Sequence, residues 1–134
     1  MNVFVYGTLK KGCYNHYILN NSEFLFKATT LDRHYEMVDL GSFPAVVKDG
    51  ESFNRERYSI DGEVYSVDDR TLQSIDYLEG NGSFYNREEV FVRPDNIELQ
   101  TQSAWIYIYL NETFRNRKLS PAVAQVKTWR EWGQ

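Results

Sequence analysis

The sequence predicts an α+β fold in which mostly antiparallel strands form a small barrel or strongly curved sheet carrying one principal helix. Three observations lead there. Trp, Tyr and Phe number 3, 10 and 8 and make up 16% of the 134 residues, and Tyr and Phe favour pleated, half-buried surfaces. Short apolar or alternating runs recur along the chain, bounded by Gly, Pro, Asn and Asp, which is the pattern of successive strands and turns. Only one segment combines a helical apolar stripe with a signal at each end. The length is that of one domain, 1–134, and such a chain buries roughly two thirds of its unfolded surface without staples.

In chain order, Val3-Phe4-Val5-Tyr6 is an apolar run ending at Gly7, hence a buried strand. A loop from Gly7 to Gly12 follows, and Asn15 is placed to cap a short helix reaching Leu19. Segments 23–31 and 34–40 carry β-formers, with Leu31-Asp32-Arg33 as the turn between them. Gly41-Ser42-Phe43-Pro44 breaks the chain, Ala45-Val46-Val47 briefly resumes it, and 49–57 is polar and loop-like. Residues 58–66 read as a strand with Ile60, Gly62 and Val64 on one face and Ser59, Asp61, Glu63 and Tyr65 on the other. The principal helix is predicted over 69–78, with Asp68 as N-cap and Gly80 supplying the left-handed residue beyond its end. Residues 84–93 and 98–110 form a hairpin around Pro94-Asp95-Asn96. Its return strand turns Ala104, Ile106 and Ile108 one way and Trp105, Tyr107 and Tyr109 the other. The tail, 111–134, is polar until Val123. Val126, Trp129 and Trp132 then recur every third residue, as in a short helix docking two Trp on the body.

Composition excludes several classes. Fifteen Lys and Arg against 19 Asp and Glu give a net charge of −4, which argues against a dedicated nucleic-acid binder. Cys13 is the single cysteine, so neither an intrachain disulfide nor a thiolate-rich zinc site can form, and a reducing compartment is expected. No apolar stretch approaches the length of a membrane span, and the N-terminus lacks the marks of a secretory signal. The expectation is a cytoplasmic protein, monomeric, with no membrane or nucleic-acid partner.

Candidate chemistry begins on the helix. At about 100° per residue, Glu79 falls within roughly 20° of Leu72, on the apolar stripe that docks the helix. A carboxylate there is unexpected, since charged groups are seldom buried unpaired. The helix C-terminus disfavours an anion as well. Both effects raise a carboxyl pKa toward the value a general base needs. Alternatively, Glu79 lies at the rim of the core, reaching water or pairing with Arg87, and pattern alone favours this. Tyr6-Gly7-Thr8-Leu9-Lys10-Lys11-Gly12 can present consecutive backbone N–H groups as an anion-binding nest, or be only a tight loop. It is neither a P-loop nor a dinucleotide fingerprint. Arg87, after Tyr85 and Asn86, can neutralise Asp76 or orient a substrate carboxylate, or form an ordinary ion pair. Phe43-Pro44 can shape a pocket wall or simply bend the chain. Tyr107 or Tyr109 can aim a hydroxyl into a pocket or merely pack. Cys13 with His16 lacks a third orienting group, Lys10-Lys11 is too short for a phosphate patch, and Trp129 and Trp132 read as core covers.

Taken in order, Val3-Phe4-Val5-Tyr6-Gly7-Thr8-Leu9-Lys10-Lys11-Gly12, Gly41-Ser42-Phe43-Pro44-Ala45, Gly62-Glu63-Val64-Tyr65, Ile75-Asp76-Tyr77-Leu78-Glu79-Gly80 and Tyr85-Asn86-Arg87 form a signature. It resembles the γ-glutamylcyclotransferase-like superfamily, nearest to the small γ-glutamylamine cyclotransferases and their AIG2-like relatives, over about residues 2–110. The tail adds nothing to it. The resemblance implies a small mixed β-barrel with a pocket at one end, and release of 5-oxoproline from a γ-glutamyl amide. It implies that Glu79 is the catalytic acid/base and that backbone amides of Tyr6, Gly7, Thr8 and Leu9 hold the γ-glutamyl group. Asp76, Tyr85, Arg87, Pro44 and Tyr107 are expected to support the site. The substrate's own α-amine closes the ring, so no cofactor, metal or protein nucleophile is required. Ile75 stands where the family usually has Leu, a conservative change. Other readings are a non-catalytic module binding a small acid on the same barrel, and a protein-interaction domain using the aromatic tail.

Overall fold

The structure, a computed structural model, describes residues 1–32, 35–39, 43–48, 59–109 and 124–126. Among these residues, eight strands and one α-helix run in the order β1 (Asn2–Val5), β2 (Glu23–Thr30), β3 (Tyr35–Asp39), β4 (Pro44–Lys48), β5 (Asp61–Ser66), α1 (Asp69–Glu79), β6 (Tyr85–Pro94), β7 (Gln102–Tyr109) and β8 (Ala124–Val126). A 3-10 turn, His16–Leu19, lies between β1 and β2. Strands β1-β5-β2-β6-β7 close into a barrel. Its pairings are antiparallel except at the closure, where β1 meets β7 in parallel. The expected mixed, mostly antiparallel barrel with one principal helix is therefore what forms.

Two apolar layers hold it. Phe4, Phe26, Val64, Val92 and Ile106 are among the side chains filling the barrel, and Met37 of β3 and Val46 of β4 join them. The outer face of β1, β5 and β7 carries Val3, Val5, Tyr65, Tyr107 and Tyr109, packed with Leu72 and Ile75 of α1, Leu19, and Ala45 and Val47 of β4. The second layer explains why alternation along β5 did not separate a wet face from a dry one: Gly62 through Tyr65 are all buried. Gly62 is required by closeness, since a Cβ there would sit 2.5 Å from the Val5 carbonyl oxygen and 2.6 Å from Phe4 Cζ.

Several predicted boundaries shift for local reasons. β5 begins at Asp61, because the Thr30 hydroxyl accepts from the Ile60 N–H at 2.8 Å while the Thr30 N–H donates to the Ile60 carbonyl. The return strand begins at Gln102 because Asn96 prolongs the turn: its side chain accepts from the Glu98 N–H and its carbonyl from the Leu99 N–H, each at 3.0 Å. Asn15 does not cap its turn through its side chain. Residues 44–48 are a full strand, and β4-β3-β8 form a second, three-stranded sheet. Val126 pairs with Met37 there, which corrects the helix expected at that point. Arg33, Gly41, Ser42, the 49–57 loop, Trp129 and Trp132 lie outside the described residues.

Helix α1 is fixed at both ends. The Asp68 carboxylate accepts from the Thr71 N–H at 2.7 Å. At the other end Gly80 is left-handed (φ 62°, ψ 50°). The Gly80 N–H donates to the Tyr77 carbonyl and the Asn81 N–H to the Asp76 carbonyl, at 3.2 and 2.9 Å. This paired closure is a Schellman motif, and it stops the helix immediately after Glu79. No helix among the described residues is long and apolar enough to cross a membrane.

Candidate active site

A cavity of about 370 Å³ opens between the 6–9 loop, the C-terminal end of α1 and the facing ends of β6 and β7. Tyr6, Gly7, Thr8, Leu9, Pro44, Glu79, Tyr85 and Tyr107 all line it, with Phe43 and Tyr109, so eight of the ten residues that the resemblance assigns to the site meet at one place. Asp76 and Arg87 do not line it. They stand behind Tyr107, whose hydroxyl donates to Asp76 Oδ1 at 2.5 Å while Arg87 Nε donates to the same oxygen at 3.0 Å. The Arg87 guanidinium lies 4.5 Å from the centroid of the Trp105 ring. Arg87 therefore neutralises Asp76 and not Glu79.

Among the described residues Glu79 is the one ionisable carboxyl on the cavity wall, and no Lys or Arg shares that wall. Burial pushes its pKa up to about 7, and its place at the helix C-terminus acts in the same direction. The carboxylate in turn helps raise the Tyr6, Tyr85 and Tyr107 hydroxyls, behind the larger effect of their own burial. All three keep their protons, and each proton is committed. Tyr6 donates to the Tyr107 carbonyl at 2.7 Å, Tyr85 to the Pro44 carbonyl at 3.2 Å, and Tyr107 to Asp76. The Tyr6 oxygen also accepts from the Val46 N–H, whereas Tyr85 and Tyr107, their protons committed, keep lone pairs that suit an ammonium group.

The loop after β1 is ordered through its carbonyls. Gly7 O accepts from the Lys10 N–H and Thr8 O from the Asn15 N–H, each at 3.0 Å, and Leu9 O accepts from His16 Nδ1–H at 2.8 Å. Asn15 Nδ2 also donates to Thr8 Oγ1 at 2.9 Å. The N–H groups of Gly7, Thr8 and Leu9 donate to no described group, leaving three unused donors beside the cavity. Gly7 is glycine for a steric reason: a Cβ would lie 2.7 Å from Pro44 Cγ and 3.0 Å from Pro44 Cδ. Loop and pocket wall are thus in direct contact. His16 is engaged by Leu9 and stacks obliquely against Tyr65, its ring centroid 5.6 Å away.

Tyr14, Asn15 and Phe84 also line the cavity and were not picked out for it. Tyr14 is a lone aromatic in a loop and carries no sequence signal. Phe84 is placed by Gly80, whose absent Cβ would meet Phe84 Cδ2 at 2.6 Å.

The elevated pKa of Glu79 has a consequence for stability. In the folded chain the group binds its proton up to about pH 7, whereas in the unfolded chain it releases it near the usual glutamate value of about 4.3. Stability is therefore greatest below the unfolded value and falls as pH rises through about 7. Glu79→Gln is expected to be more stable than wild type at about pH 8, by roughly 1–3 kcal/mol, with the difference fading by about pH 5. Urea denaturation midpoints at the two pH values check this.

A closed barrel with a half-open, largely apolar cavity of this size at one end has the dimensions of a small-molecule pocket. The sequence model described as "Gamma-glutamyl cyclotransferase, AIG2-like" matches residues 3–131, so the match continues past residue 110 into the tail. A protein of Vibrio cholerae named "Putative gamma-glutamylcyclotransferase" is 40% identical over 117 residues, 87% of this chain and 88% of its own. The Escherichia coli "Gamma-glutamylcyclotransferase family protein YtfP" is 30% identical over 109 residues, covering 81% and 82%. The solved structure of a mouse AIG2-like protein shares the fold, with a TM-score of 0.73 at 21% identity over 96% of this chain and 87% of that one. This chain belongs to the AIG2-like γ-glutamyl cyclotransferase family.

Proposed function

We propose that this protein converts a γ-glutamyl amide into 5-oxoproline and a free amine, with Glu79 as general base and then general acid. The observation that carries the reading is the Glu79 carboxyl, raised to about 7, in a cavity also lined by a loop whose Gly7, Thr8 and Leu9 N–H groups donate to no described group.

The chemistry follows from those groups. The substrate arrives with its α-amine protonated. Glu79 takes one proton, and the freed nitrogen attacks the substrate's own γ-carbonyl carbon. The nucleophile is already in the molecule, so holding the chain folded supplies much of the rate. A C–N bond forms within a five-membered ring as the carbonyl becomes a tetrahedral oxyanion. Glu79 then returns the proton to the departing nitrogen as the original amide bond breaks, takes the second proton from the ring nitrogen, and passes it to the released amine, which leaves as an ammonium ion. No water is consumed, and the carboxyl ends as it began. A group titrating at about 7 suits these transfers near neutral pH.

In this reading the Gly7, Thr8 and Leu9 N–H groups hold the α-carboxylate or the developing oxyanion. The Tyr85 and Tyr107 oxygens accept from the ammonium. Asp76 and Arg87 keep Tyr107 in place, and Pro44 backs the loop. The test is 5-oxoproline release from a panel of γ-glutamyl amines and γ-glutamyl amino acids. Turnover of at least one member is expected. If no member turns over while 5-oxoproline still raises the melting temperature, the reading of a non-catalytic binding module replaces it.

A further inference from the structure

The cyclisation leaves buried charged groups without a task, Glu63 among them. Glu63, on β5, is fully buried. Its Oε1 accepts from the Lys11 N–H at 3.0 Å and from the Tyr65 hydroxyl at 2.6 Å. Its Oε2 is buried with no hydrogen-bond partner. Burying a carboxyl on these terms costs stability, and an apolar residue in such a place is often the more stable choice. What Glu63 provides is an oxygen at one position.

That position is the far end of the loop after β1. Glu63 pairs in register with Val5, the last residue of β1. The loop is thus fixed where it leaves the barrel and again, through Glu63, at Lys11. Between these anchors the Lys10 N–H closes a turn on the Gly7 carbonyl. Burial raises the pKa of Glu63, and the Tyr65 and Lys11 hydrogen bonds and the charge of Lys10, itself 3% exposed, act against that rise. The Gly7–Leu9 stretch is therefore stretched between two fixed points, with its carbonyls engaged and its N–H groups unused.

We propose that Glu63 is a positioning residue, which grips the Lys11 N–H so that the Gly7, Thr8 and Leu9 N–H groups stand ready for the anionic end of the γ-glutamyl group. This rests on the cyclotransferase reading. Glu63 acts on substrate binding and takes no part in proton transfer. The Lys11 and Tyr65 donors need an acceptor oxygen, not a charge, so glutamine serves in its place and an apolar residue does not.

The experiment is steady-state 5-oxoproline release by wild type, Glu63→Gln, Glu63→Ala and Tyr65→Phe, with amide hydrogen exchange at residues 7–11 measured on the same proteins. Glu63→Gln should keep KM within about threefold of wild type, and Glu63→Ala should raise it at least about tenfold with kcat little changed. Tyr65→Phe, which frees Glu63 to turn, should raise KM by a smaller factor and speed exchange at Lys11. An unchanged KM in folded Glu63→Ala, a loss confined to kcat, or a Glu63→Gln as impaired as the alanine variant would each overturn the proposal. If Glu63→Ala does not fold, an unchanged KM and unchanged Lys11 exchange in Tyr65→Phe overturn it instead. If wild type turns over no substrate, the cyclotransferase reading has failed. The positioning claim is then decided by exchange alone, standing if Tyr65→Phe speeds Lys11 exchange and Glu63→Gln does not.

Discussion

Glu79→Gln is expected to lower kcat for 5-oxoproline release by about 10²–10⁴-fold, the usual contribution of a positioned general acid–base. The substitution keeps the shape of the side chain and removes its ability to carry a proton. Binding should change far less, because the anionic end of the substrate is assigned to the 7–9 loop. A calorimetric titration with 5-oxoproline should give a Kd within a few-fold of wild type. The variant should also be the more stable protein above neutral pH, since it discards a buried carboxylate. Activity lost together with stability gained separates a functional carboxyl from a structural one, whose removal lowers both.

The second large effect is expected at Gly7. A methyl group there meets Pro44 Cγ at 2.7 Å, and a proline ring cannot swing aside as a flexible side-chain end would. The 6–9 loop or the start of β4 must therefore move. A displacement of about an ångström at a binding group can cost 10²-fold. Gly7→Ala should lower kcat/KM by that order, mostly through KM, with 5-oxoproline binding weakened in parallel. The acid-limb midpoint of the pH profile should stay put, because Glu79 is untouched. Pro44→Ala in the Gly7→Ala background should recover part of the loss, because it removes the atoms the new methyl strikes.

The parts of the site legible in the sequence are those set by short-range rules. A period of 3.6 residues between Asp68 and Gly80 placed Glu79 beside Leu72 and Ile75, and the two caps form as their residue types require. The glycines of the Gly7–Gly12 run marked a loop directly after a strand. Contacts between distant segments were out of reach. Nothing near Gly7 in the chain announces that Pro44 fills the space of its missing side chain, and nothing near Tyr107 announces Asp76, 31 residues away. Glu63 is the instructive case. Alternation assigned it to the face opposite Ile60, Gly62 and Val64. That face is buried too, under Leu19, α1 and β4, because the barrel wears a second apolar layer that a period-two pattern cannot show. The β4-β3-β8 sheet escaped notice for a similar reason: a three-residue strand such as Ala124–Val126 has no periodicity to read, and only the free edge of β3 makes it one.

The central claim is that Glu79, raised by burial, moves the proton. The most direct measurement is kcat/KM for 5-oxoproline release against pH for the wild-type protein. The account predicts an acid limb that rises to a plateau with a midpoint of about 7, since the carboxylate form must be present to accept a proton. That limb should be absent from the residual activity of Glu79→Gln. A wild-type rate that is flat from about pH 5.5 to 8, or a limb that survives unchanged in Glu79→Gln, would contradict it.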